Sequence, residues 1–226
     1  MTTKNALLGL WAEASIHAGA LLVSDAKLLL LPVRSLTSHF KWVTCPALLK
    51  RLQRDVTRLG LGLQVGADFA PEKSVAVVAK SDGTDLFLEE YRFKTRAEDL
   101  TALIGAINQL ADIAIEDLTE QLVIVSDDQF SYLAKYATPV TPHIAIDNDR
   151  KTVKPGALWY EETLPPETVL YFALSAHRSR AKESDISAEA ILNCITQDLF
   201  GASPYLQLGG NETVGMGWCK VTVLEA

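Results

Sequence analysis

The stretch richest in chemical possibility is YLQLGGNETVGMGWCKVTVLEA, residues 205–226. A strand-like run feeds Gly209-Gly210, then the polar Asn211-Glu212-Thr213, then Gly215-Met216-Gly217 and a closing strand. Glycines let a backbone turn at positive φ and approach a ligand or a neighbouring chain closely. Backbone N–H groups in such a turn can meet phosphate oxygens. The Lys-Ser/Thr of a P-loop is missing and no helix follows, so the spacing does not describe a nucleoside triphosphate site. Two readings stand on spacing alone: a tightly packed glycine hairpin, which is the plainer one, and a backbone cradle for phosphate.

Cations cluster in three other places. Lys50, Arg51, Arg54 and Arg58 share one side of PALLKRLQRDVTRLG, opposite Leu48, Leu49, Leu52, Val56 and Leu59. Arg150, Lys151 and Lys154 follow the polar pair Asn148-Asp149, and Arg178, Arg180 and Lys182 sit in the charged stretch 177–186. Each cluster is by default a solvated surface, and each gains importance if a phosphate backbone runs past it, because charge neutralisation dominates nucleic-acid affinity. His17 ends an alternating segment and reads as a general base or a strand-end histidine. His39, His143 and His177 are isolated, without metal-ligand spacing. Asp127-Asp128 resembles a metal-binding pair and equally a helix start. Cys45, Cys194 and Cys219 are scattered without CxxC spacing, as reduced thiols rather than a disulfide framework or zinc site. For Trp42 and Trp159, core packing is the default and base stacking the alternative, more open for Trp159.

The elements that must hold these groups follow from hydrophobic period. Residues 6–18 alternate as a first strand, 21–33 as a bent strand or strand pair ending near Pro32, and 40–45 as another strand. Pro46 suits a first helical turn, and Gly60 ends that helix. Strands are expected at 74–79 and 85–93 around the Ser81-Asp82-Gly83 turn, a helix at 97–114, a strand at 123–128 and a helix through Phe130 to Tyr136. Two alternating halves meet at Asn148-Asp149-Arg150 as a hairpin, followed by a strand at 169–176 and a helix at 187–199. The order of strands and helices suggests an α+β, ferredoxin-like sheet with insertions.

Composition bounds the class. The 226 residues carry 21 Lys+Arg against 28 Asp+Glu, a formal net charge of −7, and 48% are hydrophobic. That describes an ordinary globular chain rather than a coiled coil, a collagen-like repeat or a disulfide-dense module. It argues against nucleic-acid binding by bulk positive charge, unless the cations are segregated onto one surface. The first residues lack a signal-peptide pattern, and Leu28–Leu31 is too short an apolar run for a membrane span, so a cytoplasmic protein without a membrane partner is expected.

LQLGGNETVGMGW resembles the glycine-rich motif of the RAMP superfamily, the repeat-associated proteins of CRISPR systems. Within it, the chain is similar to the backbone subunits of type III-B (Cmr) RNA-targeting effectors. AEASIHAG, GALLVSDAKLLLLPVRSL, FKWVTCPALLKRL, LVIVSDDQFSYL and KTVKPGALWYEETLPP recur in the family's order and cover most of the chain. The resemblance implies one domain over 1–226 with a modified RNA-recognition-motif core, a thumb β-hairpin about 141–163 and the glycine-rich hairpin about 205–224. It implies CRISPR guide RNA, target RNA, copies of the chain in a filament and other effector subunits as partners. It further implies target-RNA cleavage at regular intervals with a divalent ion such as Mg, by in-line attack of a 2′-hydroxyl. His17 matches the histidine ending the family's first strand and Glu212 sits in the glycine loop, both as supporting catalytic groups; no residue is assigned as a metal ligand. Ile146 falls near the thumb tip with Arg150, Lys151 and Lys154 beside it, and PVRS places Arg34 and Ser35 near the RNA path. With RNA present, Lys50, Arg51, Arg54, Arg58, Arg178, Arg180, Gly209, Gly210 and Asn211 become RNA-binding candidates.

One departure bears on activity. In the family the first strand runs into a glycine-rich loop bearing the aspartate used for cleavage, followed by a Gly-Ser-Ser-type motif and a basic helix. Here His17-Ala18-Gly19 runs directly into Ala20-Leu21-Leu22, and Asp25 belongs to the later SDA stretch. The alternative to a cleaving subunit is therefore a scaffold that positions RNA and cuts nothing. A self-sufficient RNA-processing nuclease would need a catalytic cluster that this sequence does not show.

Overall fold

The computed structural model describes residues 18–66, 68–181 and 185–225. They gather into two compact units, one of residues 28–109 and 113–170, the other of the described residues up to Lys27 with 110–112 and 171–225. In chain order the strands are β1 (Leu21–Val23), β2 (Lys27–Arg34), β3 (Phe40–Thr44), β4 (Val75–Val78), β5 (Asp85–Leu88), β6 (Tyr91–Ala97) and β7 (Leu122–Ile124). They continue as β8 (Val140–Asp147), β9 (Thr152–Glu162), β10 (Val169–Tyr171), β11 (Leu174–Ala176), β12 (Tyr205–Gln207) and β13 (Trp218–Lys220). The helices are α1 (Pro46–Arg58), α2 (Thr101–Ala111), α3 (Ile115–Gln121), α4 (Asp127–Tyr136) and α5 (Ala188–Asn193).

The larger unit is organised by a mixed sheet of order β10-β2-β3-β7-β4-β6-β5. Its inner strands β3 and β7 are parallel, with Val43 opposite Val123, and each is followed by a helix: β3 by α1, β7 by α4. Antiparallel β2 and β4 flank that pair. This is the split βαβ arrangement of a ferredoxin-like α+β fold, as the sequence implies. Leu31, Val33, Val43, Cys45, Val123 and Val125 share one buried cluster with Phe130 and Leu133 of α4. Their odd-numbered strand positions follow from the two-residue period of β structure. Leu30, Trp42, Leu122 and Ile124 are buried at the alternate positions, so both faces of the central strands are covered. At the far edge the chain returns: Glu89 N–H donates to the Arg34 carbonyl at 3.0 Å, and Ser35 bridges to Leu88. The edge strand β5 is thus partly closed off against the end of β2, which protects its unpaired groups.

Helix ends explain two ambiguous motifs. Cys45 offers α1 no side-chain cap, and Asp127 Oδ1 supplies one from α4, accepting from Ala47 N–H at 2.9 Å. Ser126 caps α4 itself. Asp127-Asp128 is accordingly a helix start whose first carboxylate serves a second helix.

Three expected elements differ. The stretch 85–93 is a hairpin, not one strand, because Glu89 adopts φ 50° and reverses the chain between β5 and β6. β4 pairs in parallel with β6 rather than with β5 across Ser81-Asp82-Gly83. The helix expected at 97–114 starts at Thr101, and after it Asp112 adopts φ 53° before α3 begins. The strand expected at 169–176 divides into β10 and β11, which belong to different sheets.

In the smaller unit β1 pairs antiparallel with β11, Leu21 opposite Ala176. Ala20 and Ile191 are fully buried there against Leu21, Ile186 and Ile195. α5, capped by Ser187, runs on as a π-helical turn over Cys194–Leu199, and β12 pairs with β13.

Candidate nucleic-acid interface

The hairpin β8–β9 is an isolated two-stranded ribbon. Its longer strand has 11 residues and so extends about 35 Å. Pro142 opposes Tyr160, Ile144 opposes Leu158 and Ile146 opposes Val153. The register shifts after Ile144, where Pro155 and Gly156 (φ 75°) lie in β9. A bulge tolerates the proline's missing N–H, and the shift returns Val153 to the apolar face. Ile144, Ile146, Leu158 and Tyr160 are 50%, 52%, 55% and 66% exposed, an apolar strip of the kind that marks a binding surface. On the other face His143 stacks on Trp159, with ring centroids 5.4 Å apart and 15° between planes. Glu161 ties the two together, accepting from Trp159 Nε1 at 3.2 Å and lying 3.3 Å from His143 Nε2. Trp159 is therefore a surface aromatic, not a core one.

At the hairpin tip Asp147 Oδ1 accepts from Asp149 N–H at 2.9 Å and Arg150 N–H at 3.0 Å, and Lys151 N–H donates to the Asp147 carbonyl at 2.8 Å. One carboxylate is thus spent on shaping the turn, and Arg150, Lys151 and Lys154 are left exposed around it. Lys151 adopts φ 55°.

The other predicted cations divide. Lys50, Arg54 and Arg58 are exposed on α1, the last two within 4.0 Å of Asp55. Arg51 leaves that face: its guanidinium is half-buried and donates to the Leu28 carbonyl at 2.5 Å. The helical period put it with the other three, and the neighbouring strand end draws it inward. Arg34 is exposed but engaged, with Nε and Nη2 on the two oxygens of Glu89 at 3.0 and 2.7 Å. That bidentate pairing raises the Arg34 pKa further. Ser35 Oγ hydrogen-bonds with Thr37 Oγ1 at 3.1 Å. In the smaller unit Arg178 pairs with Asp185, and Arg180 is exposed. His17 and Lys182 lie outside the described residues.

The glycine loop joins β12 to β13. Asn211 adopts φ 60° and its carbonyl accepts from Val214 and Met216 N–H, while Gly209, Gly210 and Glu212 are exposed at the bend. Gly217 is indispensable for packing: a Cβ there would come within 1.9 Å of the Leu208 carbonyl oxygen. Of the two readings the loop admits, the tight hairpin is realised, and its outer backbone faces solvent. Among the described residues, no three His, Cys, Asp or Glu side chains converge as a metal ion requires. Glu212 therefore has no carboxylate or imidazole set to join, and no chemical step is routed through a cation here. No helix among the described residues is long and apolar enough to cross a membrane.

Two features were not legible beforehand. Tyr91, Tyr132 and Tyr136 form an exposed aromatic ladder with centroids 5.0 and 4.6 Å apart, and Lys135 lies over the Tyr136 ring. The i, i+4 spacing of Tyr132 and Tyr136 was the available signal. A cavity of about 310 Å³ lies between the β2–β3 turn and the end of α3, lined by Leu36, His39, Phe40 and Gln121. Nothing local in sequence joins residues eighty positions apart.

The RAMP superfamily's sequence model matches residues 8–220. The chain is 34% identical over 218 residues to the CRISPR system Cmr endoribonuclease Cmr4 of Pyrococcus furiosus, covering 94% of this chain and 72% of that protein. Its fold matches the crystal structure of oligomeric Cmr4 from Pyrococcus furiosus with a TM-score of 0.69 at 29% identity, covering 97% of this chain and 76% of that one. A type III-B Cmr-beta complex bound to cognate target RNA, studied by cryo-electron microscopy, contains a chain of the same fold, with a TM-score of 0.69, 18% identity and coverage of 97% and 75%.

Proposed function

Because this chain belongs to the RAMP superfamily, we propose that it is an RNA-binding backbone subunit of a type III-B-like CRISPR effector, copies of which stack along a guide RNA. The observation that carries this reading is the 34% identity with Cmr4 along nearly the whole chain. The projecting β8–β9 ribbon supports it as the thumb: an apolar strip suits wedging between bases, and cations at the tip suit phosphates. Guide and target would be held by shape and backbone contacts, base pairing supplying sequence specificity. Lys50, Arg54, Arg58, Arg150, Lys151 and Lys154 are the cations this reading uses. Arg51 and Arg34 hold the protein's own carbonyl and carboxylate instead.

A second reading concerns cleavage. The Pyrococcus relative is an endoribonuclease, and a divalent cation such as Mg would belong to that activity. In this chain Ala20 is packed in the small core and Leu21 already begins β1, so no loop intervenes between Gly19 and that strand. This favours a scaffold that positions target RNA without cutting it, with His17 and Glu212 not forming a catalytic centre. Mixing the chain with a CRISPR RNA should yield a ladder of regularly increasing complexes on a native gel, and a failure to assemble on RNA would refute the subunit reading. Adding guide-matched target and Mg to the assembled complex should leave the target intact; regularly spaced cuts would refute the scaffold reading.

A further inference from the structure

The cavity at the β2–β3 turn contains an unanswered hydrogen-bonding group. Gln121 Oε1 is fully removed from solvent and has no hydrogen-bond partner, although the cavity opens beside it. Leaving a polar atom in that state costs about 1–3 kcal/mol, so a ligand that satisfies it is favoured. The rest of the wall is apolar and aromatic. Leu36 stands 79% exposed at the rim, His39 is exposed, and Phe40 is held edge-to-face on Trp42 at 5.1 Å. The Ser38 hydroxyl is already committed to the Phe40 carbonyl at 2.8 Å, so it does not compete for a ligand.

Gln121 is also rigidly placed. It is the last residue of α3, and Leu122 immediately enters the parallel ladder opposite Trp42. Lys41 Nζ donates to the Glu120 carbonyl at 2.8 Å, pinning the turn before it. A primary amide held at the back of an aromatic-walled cavity of about 310 Å³ presents a donor and an acceptor to something flat. Such a volume lies at the small end of ligand sites. Unpaired bases are recognised by this combination, stacking on Phe or His and hydrogen-bonding at an edge. A glutamine amide matches adenine, whose N6 amino group donates and whose N7 accepts.

We propose that this cavity receives one unstacked nucleobase of the bound RNA, adenine above the others, with Gln121 reading its edge and His39 and Phe40 walling its faces. The inference rests on the RNA-binding reading above and adds a base-reading site to it. A bidentate Gln–adenine contact discriminates by about fivefold or more.

The test measures affinity of the full chain for short single-stranded oligo(A) and oligo(U) by fluorescence anisotropy at one salt concentration. Because oligo(A) stacks on itself, the informative quantity is the ratio of the two affinities in the protein and its variants. Gln121→Met, which keeps the volume, and Gln121→Ala should each lower the preference for oligo(A) about fivefold and leave oligo(U) binding unchanged. His39→Ala should weaken both. Circular dichroism melts identify the variants that remain folded. An unchanged ratio in folded Gln121 variants overturns the base-reading site while RNA binding stands. Loss of self-association in those variants, with RNA affinities unaltered, would mean that a neighbouring copy fills the cavity and equally overturns it. Absence of binding to either oligonucleotide by the unaltered chain would refute the RNA-binding reading and this one with it.

Discussion

Replacing Arg150 by Ala together with Lys151 by Gly isolates the electrostatic work of the hairpin tip. Glycine is needed at 151 because that residue sits at φ 55°, where alanine would cost about 1–2 kcal/mol and disturb the turn. The Asp147 side chain and carbonyl, which hold the turn through the backbone N–H groups of 149, 150 and 151, are untouched. Each phosphate neutralised on a single strand contributes about −0.7 to the slope of log affinity against log salt. Two lost contacts should therefore flatten the slope by about 1.4, which is roughly 25-fold in affinity at 0.1 M salt and vanishes toward 1 M. Anisotropy titrations of a CRISPR RNA over a range of KCl concentrations measure both quantities. Ile146→Ala, which removes an exposed apolar group from the same region, should leave the slope unaltered. A double variant with the original slope would refute the assignment of these cations to phosphates, whatever its affinity.

Other expected outcomes concern the scaffold. Thr44 is fully buried with its hydroxyl unpartnered, so Thr44→Val should raise stability by about 1 kcal/mol in urea titrations, and a loss would show a hidden partner. Asp127→Ala removes the only side chain capping α1 and should cost about 1 kcal/mol, with no change in any response to divalent metal. Burial pushes the Cys45 thiol up to about 11, so its thiolate is scarce at pH 8. Alkylation followed by mass spectrometry should label the half-buried Cys194 and Cys219 well before Cys45, and should reach Cys45 faster as pH rises; equal labelling at pH 8 would contradict its burial. The Asp85 carboxyl is held below its ordinary range first by Lys94 and then by Arg92. Its contribution to the β5–β6 hairpin should persist above the usual carboxylate pKa and fade as pH falls through the lowered value, visible as a low Asp85 midpoint by NMR titration.

Whole-chain acidity pointed away from nucleic acid, yet the exposed cations gather at the hairpin tip and along α1 while many carboxylates are occupied within the protein. Asp147 shapes a turn, Asp127 caps a helix, Asp85 holds Arg92 and Lys94, and Glu89 holds Arg34. Net charge counts these groups equally, although they do different things.

By itself the sequence determined what repeats locally. The 3.6-residue spacing of Leu49, Leu52 and Val56 made α1 a helix with a buried stripe, and the alternation on either side of Asn148-Asp149 made β8–β9 a hairpin. Local chemistry suffices there because each apolar face is set by neighbours within a few residues. Tertiary structure alone decided the rest. It turned Arg51 inward to the Leu28 carbonyl, brought Glu89 onto Arg34, paired β4 with β6 rather than with β5, and carried Gln121 to the wall built by His39 and Phe40. A periodic pattern specifies that a face must be buried. It does not specify which distant surface buries it, because that choice is made by the packing of all the elements together.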